Sequence, residues 1–151
     1  ININKQLRLY CEKLKPPLLH TLGLKAALNK LLRETEKKAD FTLIYDIDQL
    51  QLEDPHMPLL IYRILQEMLN NALRHSQATY VKIDVKKQDA GFDITYMDNG
   101  VGCDVTTLAS FPTMGLKGMQ ERVQACNGTI EIDSYPDEGM QIYISFRGDE
   151  K

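Results

Sequence analysis

Four side chains near the end of one apolar-striped segment have the types and spacing to hold a metal-bound anion: Glu67, Asn71, Arg74 and His75. On a helix, Glu67, Asn71 and Arg74 recur at i, i+4 and i+7 and share a face. A Glu carboxylate and an Asn carbonyl are hard oxygen donors suited to Mg²⁺, directly or through its waters. One turn on, Arg74 offers a planar fork and His75 a further donor for phosphate oxygens. Two glycine-punctuated turns follow. In Asp98-Asn99-Gly100-Val101-Gly102 a carboxylate closes a strand, where it can accept a hydrogen bond from the exocyclic amine of adenine. Guanine presents a carbonyl oxygen at that position, so such a site prefers ATP over GTP. Gly100 and Gly102 allow backbone to approach a flat ring. Gly115-Leu116-Lys117-Gly118-Met119 leads directly into a helix, whose free N–H groups and positive dipole end suit a triphosphate. Each segment also has a plain reading: an amphipathic helix with a solvated face, a hairpin turn, a helix start with flexible glycines. All three in this order describe a Mg-nucleotide pocket better than any other common site.

The elements that must position these residues follow from periodicity. Leu7, Tyr10, Cys11 and Leu14 have helical spacing from Asn4 to about Leu14, and Pro16-Pro17 stops that helix. Leu22, Leu24, Ala27, Leu28, Leu31 and Leu32 mark a second helix, with Lys37 and Lys38 favourable at its C-terminal end. Phe41, Leu43 and Tyr45 alternate with polar residues as a half-buried strand. A turn at Asp54-Pro55-His56-Met57-Pro58 opens a long helix from about Pro58 to His75, with Ile61, Ile64, Leu65, Met68 and Ala72 facing the sheet. The period then changes to two. Val81, Ile83 and Val85 form one strand and Phe92, Ile94 and Tyr96 the next, joined as a hairpin through Gln88-Asp89-Ala90-Gly91. Cys103 to Met114 is irregular and reads as a mobile loop. Leu116, Met119, Val123 and Cys126 mark a helix capped at Asn127-Gly128. Strands with Ile130 and Ile132, then Met140, Ile142, Ile144 and Phe146, close the chain around a turn at Pro136-Asp137-Glu138-Gly139. The predicted fold is α+β, a two-layer sandwich with helices on one face of a mostly antiparallel sheet.

Length and composition narrow the function classes. The 151 residues suffice for one domain with its own core. A formal net charge of -3 argues against a nucleic-acid module, which would carry a basic excess. No apolar run reaches the ~20 residues of a membrane span, and the N-terminus lacks a signal-peptide pattern. Cys11, Cys103 and Cys126 form no CxxC pair and fit a reducing cytosol. Beginning at Ile1, the chain reads as a piece of a larger protein.

The combined motifs resemble the ATP-binding catalytic domain of sensor histidine kinases, within the GHKL (Bergerat) ATPase superfamily that also includes gyrase B, Hsp90 and MutL. Arg63 to Glu67 through Asn71-Ala72-Leu73-Arg74-His75 is similar to the N box. Asp98 to Gly102 is similar to the first glycine box, and Gly115 to Met119 with Glu121-Arg122 to the second. The likeness runs from about Pro16 to Phe146. Leu14-Lys15-Pro16-Pro17-Leu18-Leu19 and Leu22-Gly23-Leu24 resemble the junction after the dimerisation helices in the subfamily that pairs with LuxR-type response regulators. A quorum-sensing competence kinase is the narrower expectation. The resemblance implies that residues 1–20 end a dimerisation helix and junction, and that 21–148 form the ATP-binding domain. It implies that Asn71 coordinates Mg²⁺ with Glu67 beside the metal and γ-phosphate, as the catalytic pair. Arg74 and His75 would contact phosphates and Asp98 the adenine amine. Gly100, Gly102, Gly115, Leu116, Lys117, Gly118 and Met119 would shape the nucleotide site, with Cys103 to Met114 as a short lid.

Two departures stand out. Many members carry Gly-Thr in the last box, where this chain has Gly139-Met140, so a contact on the adenine side is lost and a modest affinity is expected. The acceptor histidine of the family is followed by an acidic residue. Here His20 is followed by Thr21 and preceded by Pro16-Pro17, so it reads as a junction residue and His56 as a loop residue. The expectation is therefore a protein histidine kinase fragment without its own acceptor. The phosphoryl group would go to a dimerisation domain of the same kinase and on to a response regulator. The fragment would be monomeric and cytoplasmic, its parent a homodimer anchored in the membrane. Competing readings are another enzyme of the fold, such as an anti-sigma serine kinase or a machine-type ATPase, and a nucleotide-binding module without transfer activity.

Overall fold

Alternating apolar positions in the strands leave one sheet face dry, and amphipathic helices supply its cover. The computed structural model describes residues 16–102 and 115–148, with the backbone but not the side chains of His75 and Ser76. Its elements run α1 (Pro17–Thr21), α2 (Leu24–Lys38), β1 (Thr42–Ile47), α3 (Met57–Asn71), a π-helical turn (Ala72–Ser76), β2 (Tyr80–Gln88), β3 (Gly91–Asp98), α4 (Leu116–Ala125), β4 (Thr129–Ser134) and β5 (Met140–Arg147). The five strands form one sheet in the order β1-β2-β3-β5-β4. β1 pairs with β2 in parallel, and the other pairings are antiparallel. The parallel pair requires a crossover, and that crossover is α3 with its π turn. This is the expected α+β two-layer sandwich.

Val81, Ile83 and Val85 of β2, Phe92, Ile94 and Tyr96 of β3, and Ile142, Ile144 and Phe146 of β5 point into the core. Leu28 and Leu32 of α2, Ile61, Ile64, Leu65, Met68 and Leu69 of α3, and Leu116, Met119 and Val123 of α4 meet them from the helical layer. Leu65 is fully buried, so truncating it to Ala removes about 2–5 kcal/mol. The other sheet face carries Lys82, Asp84, Thr95, Met97, Gln141 and Tyr143.

At the Gly91 end of the sheet, three features pin β3 to β5. The Phe92 and Phe146 rings stack with centroids 5.0 Å apart. Arg147 Nη2 stands 2.9 Å from Oδ1 of the buried Asp93 as an ion pair, and the Tyr143 hydroxyl donates to Asp93 Oδ2 at 2.9 Å. A Cβ on Gly91 would fall 1.9 Å from the Phe146 carbonyl oxygen, so the hairpin closes only on glycine.

Two local expectations are corrected, and one short helix is added. The long helix does not run as an α-helix to His75: it is α-helical to Asn71, widens to π over Ala72–Ser76 and stops at Gln77 with φ 49°. A π turn takes more residues per revolution, so the i+7 relation of Arg74 to Glu67 is lost. The added helix is the short α1, which Pro17 can open because at the first helical position it lacks only an N–H that would have no partner. The next helix begins at Leu24 after Gly23 at φ 89°, and leaves Leu22 exposed. The helix expected from Asn4 to Leu14, the lid from Cys103 to Met114 and the cysteines Cys11 and Cys103 lie outside the described residues. Among the described residues no helix is long and apolar enough to cross a membrane.

Candidate functional site

Crossover geometry brings the end of α3 and the end of β3 to the same edge of the sandwich. The chain leaves the π turn through Gln77 and enters β2 at Tyr80, where Val81 pairs with Asp98. Asn99 ties the two segments together. Its Oδ1 accepts hydrogen bonds from the N–H groups of Thr79 and Tyr80, both at 3.0 Å. Its Nδ2 donates to Thr79 Oγ1 at 2.8 Å.

Asp98 is buried, at 7% exposure, and both oxygens of its carboxyl group meet donors of the chain. The Gly100 N–H donates to Oδ1 at 2.9 Å, and the Tyr96 hydroxyl donates to Oδ2 at 2.5 Å. Burial, then the Asp98 charge and the hydrogen bond to it, push the Tyr96 phenol far above its ordinary value. Tyr96 is therefore a permanent donor. A carboxylate has about four lone-pair sites, so each oxygen keeps one for a ligand.

The turn after Asp98 is clasped by the β4–β5 turn. Asp137 N–H donates to Val101 O at 2.5 Å, and the Ser134 hydroxyl donates to Gly139 O at 2.7 Å. Gly102 has φ 61°, and a Cβ there would fall 2.2 Å from the Tyr135 carbonyl oxygen. A Cβ on Gly139 would fall 2.2 Å from the Asp98 carbonyl oxygen. The freedom of Gly102 thus serves turn-on-turn packing, where the sequence suggested approach to a ring. Gly100 is buried and gives its N–H to Asp98. Met140, at the departure from Gly-Thr, is buried and pairs with both Asp98 and Ser134.

Glu67 and the second glycine turn also meet. Gly115 is the N-cap of α4 at φ 69°, and a Cβ there would fall 1.7 Å from Glu67 Oε1. The Glu67 carboxylate therefore lies against the start of α4, where helix polarity favours an anion. Asn71 is half-buried on the last turn of α3, one turn beyond Glu67. Arg74 lies past the α-to-π change and is exposed, and the His75 side chain is outside the description. Lys117 is exposed, and open space surrounds the position of a Cβ on Gly118. Leu116 and Met119 direct their side chains into the core, and Met119 N–H is bonded to Gly115 O at 3.0 Å. Only backbone at these two positions can face a ligand. Among the described residues no three His, Cys, Asp or Glu side chains gather as a metal cage.

Tyr96, the Asn99 side chain and Ser134 were not singled out from sequence. Tyr96 had a usable signal: it lies two residues before Asp98 on the same strand face, and a buried tyrosine hydroxyl needs a partner.

A family profile described as histidine kinase-, DNA gyrase B-, and HSP90-like ATPase matches residues 57–150. The sensor histidine kinase ComP of Bacillus subtilis is 35% identical over 136 residues, covering 89% of this chain and 18% of ComP. The oxygen sensor histidine kinase NreB of Staphylococcus carnosus is 31% identical over 133 residues, covering 87% of this chain and 38% of NreB. The chain thus spans well under half the length of these curated relatives. The histidine kinase domain of the blue-light activated kinase from Erythrobacter litoralis EL346 superposes with a TM-score of 0.70 at 16% identity, covering 82% of this chain and 60% of that one. The histidine kinase AdeS of Acinetobacter baumannii gives 0.64 at 21% identity, over 88% of this chain and 73% of that one. These two likenesses concern the fold. With the profile spanning the helix of Glu67 and Asn71, the turn of Asp98 and the start of α4, the chain belongs to the histidine kinase-, DNA gyrase B- and HSP90-like ATPase family and is an ATP-binding domain of it.

Proposed function

We propose that the chain is the catalytic part of a two-component sensor histidine kinase, which transfers the γ-phosphoryl group of ATP to a histidine on a dimerisation domain outside this chain. The observation that carries the reading is the buried Asp98 carboxylate, held by two donors with acceptor capacity to spare. It accepts from the adenine amine. Asn71 and Glu67 are assigned to the side that receives the triphosphate, with Arg74, His75 and Lys117 as donors to its oxygens. Gly115 makes room for the Glu67 carboxylate, and the open space at Gly118 leaves the start of α4 free for the phosphates. Gly100 and Gly102 hold the turn that carries Asp98.

The donor set fits Mg²⁺. A half-buried Asn amide oxygen beside one carboxylate, with no cage of acidic or imidazole ligands among the described residues, suits an ion that keeps waters and substrate phosphates as most of its ligands. Asn71 would hold it with Glu67 beside it, and when bound it neutralises charge on the triphosphate. The chain itself contributes position. An imidazole nitrogen of the acceptor attacks γ-phosphorus, the bond to the bridging oxygen breaks, and ADP leaves. Neutral imidazole is already nucleophilic, so Glu67 orients and is not required as a strong base.

On this reading residues 1–20 form the junction to the dimerisation helices and 21–148 the catalytic domain. The acceptor domain and a LuxR-type response regulator are the partners, in a membrane-attached, dimeric parent. Sensor kinase names among the relatives support this. The test mixes the chain with a separately supplied acceptor helix and labelled ATP. Label on the acceptor histidine, abolished by Asn71→Asp, supports transfer. ATP binding without labelling would leave a nucleotide-binding module instead.

A further inference from the structure

We infer that Tyr96 is a positioning residue of the adenine site, fixing the Asp98 carboxylate so that its free lone pairs meet the 6-amino group. This rests on the reading of Asp98 given above and adds a residue outside the three motifs. An aspartate χ2 torsion is broad and roughly two-fold, so a carboxylate held through one oxygen can still swing. Asp98 is held through both. Oδ1 is bound to the Gly100 N–H of the following turn, and Oδ2 to the hydroxyl of a ring anchored two residues upstream on the same strand. The Tyr96 ring is itself buried at 3% exposure and pairs across the sheet with Ile83 on one side and Ile142 on the other. Its hydroxyl cannot wander, and the carboxylate plane follows. Nothing else in the described chain donates to Oδ2. An amine-reading acceptor works only if its lone pairs point at the amine, so the hydroxyl sets base selectivity without having to touch the base.

Tyr96→Phe keeps the ring and removes only the donor. The probes are ATP and purine riboside triphosphate, which lacks the 6-amino group, titrated by calorimetry against the chain and the variant. The unsubstituted chain should bind ATP more tightly than the purine analogue. Tyr96→Phe should weaken ATP about tenfold, the loss attached to one hydrogen bond at a charged group, and leave the analogue within about twofold. Ile142→Val, beside the ring but outside the hydrogen bonds, should move both nucleotides together. If the unsubstituted chain does not distinguish the two nucleotides, the assignment of Asp98 to the amine fails and Tyr96 falls with it. If it does distinguish them and Tyr96→Phe preserves the ratio, or weakens both alike, Asp98 stands and the role of Tyr96 is overturned. A second measurement needs no variant: the ¹³Cζ resonance of Tyr96 should shift on adding ATP and hold still with the analogue. Equal shifts would also overturn the inference.

Discussion

Gly118→Ala should stabilise the free domain and weaken its hold on nucleotide. Position 118 lies inside α4, and a methyl group built there meets no atom within 4 Å. Glycine in a helix costs about 0.5–1 kcal/mol relative to alanine, and no clash opposes the gain. For a 151-residue chain that raises the melting temperature by about 1–4 °C. The open space is what a triphosphate would need. At ATP one hundredfold above Kd, the unsubstituted domain gains about 2.7 kcal/mol from binding. If the methyl group weakens binding tenfold, the variant gains only about 1.4 kcal/mol at the same concentration. Adding its 0.5–1 kcal/mol helix gain leaves the variant at about 1.9–2.4 kcal/mol, below the unsubstituted domain. The order of melting temperatures should therefore invert between buffer and saturating ATP, which differential scanning fluorimetry reads directly. A variant that melts lower in buffer would refute the open geometry at 118. One that keeps its lead in ATP would refute the placement of nucleotide against α4.

Gly115→Ala should behave oppositely: its Cβ would meet Glu67 Oε1 at 1.7 Å with φ at 69°, so both melting temperature and ATP binding should fall. Asp98→Asn should cost about 1–3 kcal/mol of ATP affinity and blunt discrimination against GTP, measured by calorimetry. The amide can turn its nitrogen to the Tyr96 oxygen, so the fold should survive while one of the two oxygen acceptors is replaced by a donor. Asn99→Ala removes three hydrogen bonds to Thr79 and Tyr80, and because these groups are exposed the loss should be near 1 kcal/mol in chemical denaturation. Faster amide exchange at Thr79 and Tyr80 should accompany it.

The sandwich was legible because period-two burial in Val81, Ile83 and Val85, and in Met140 to Phe146, is a property of single strands read against one dry face. The α3 core face was legible for the same reason. The π turn was not, since Ala72-Leu73-Arg74-His75-Ser76 contains no proline or glycine to mark a break in the helical pattern. The short α1 was not legible because proline both ends helices and begins them, and only the downstream residues decide. At the site, the meeting of Glu67 with Gly115 was not legible, because the two lie far apart in sequence and only the fold joins them. The packing role of Gly102 was hidden in the same way, because its neighbours Tyr135 and Gly139 lie more than thirty residues away in sequence. Tyr96 escaped notice as an ordinary core aromatic until its hydroxyl partner was seen.

The Phe92–Phe146 stack and the Asp93–Arg147 pair sit at the opposite end of β3 from Asp98, about 20 Å away at a strand rise of ~3.3 Å per residue. Fluorophores, tethers or thermostabilising replacements grafted near Ala90 and Gly148 would therefore be silent to nucleotide occupancy. A dye near Tyr135, whose backbone abuts Gly102, would report it. A two-colour sensor could use the first position as its reference channel and the second as its signal.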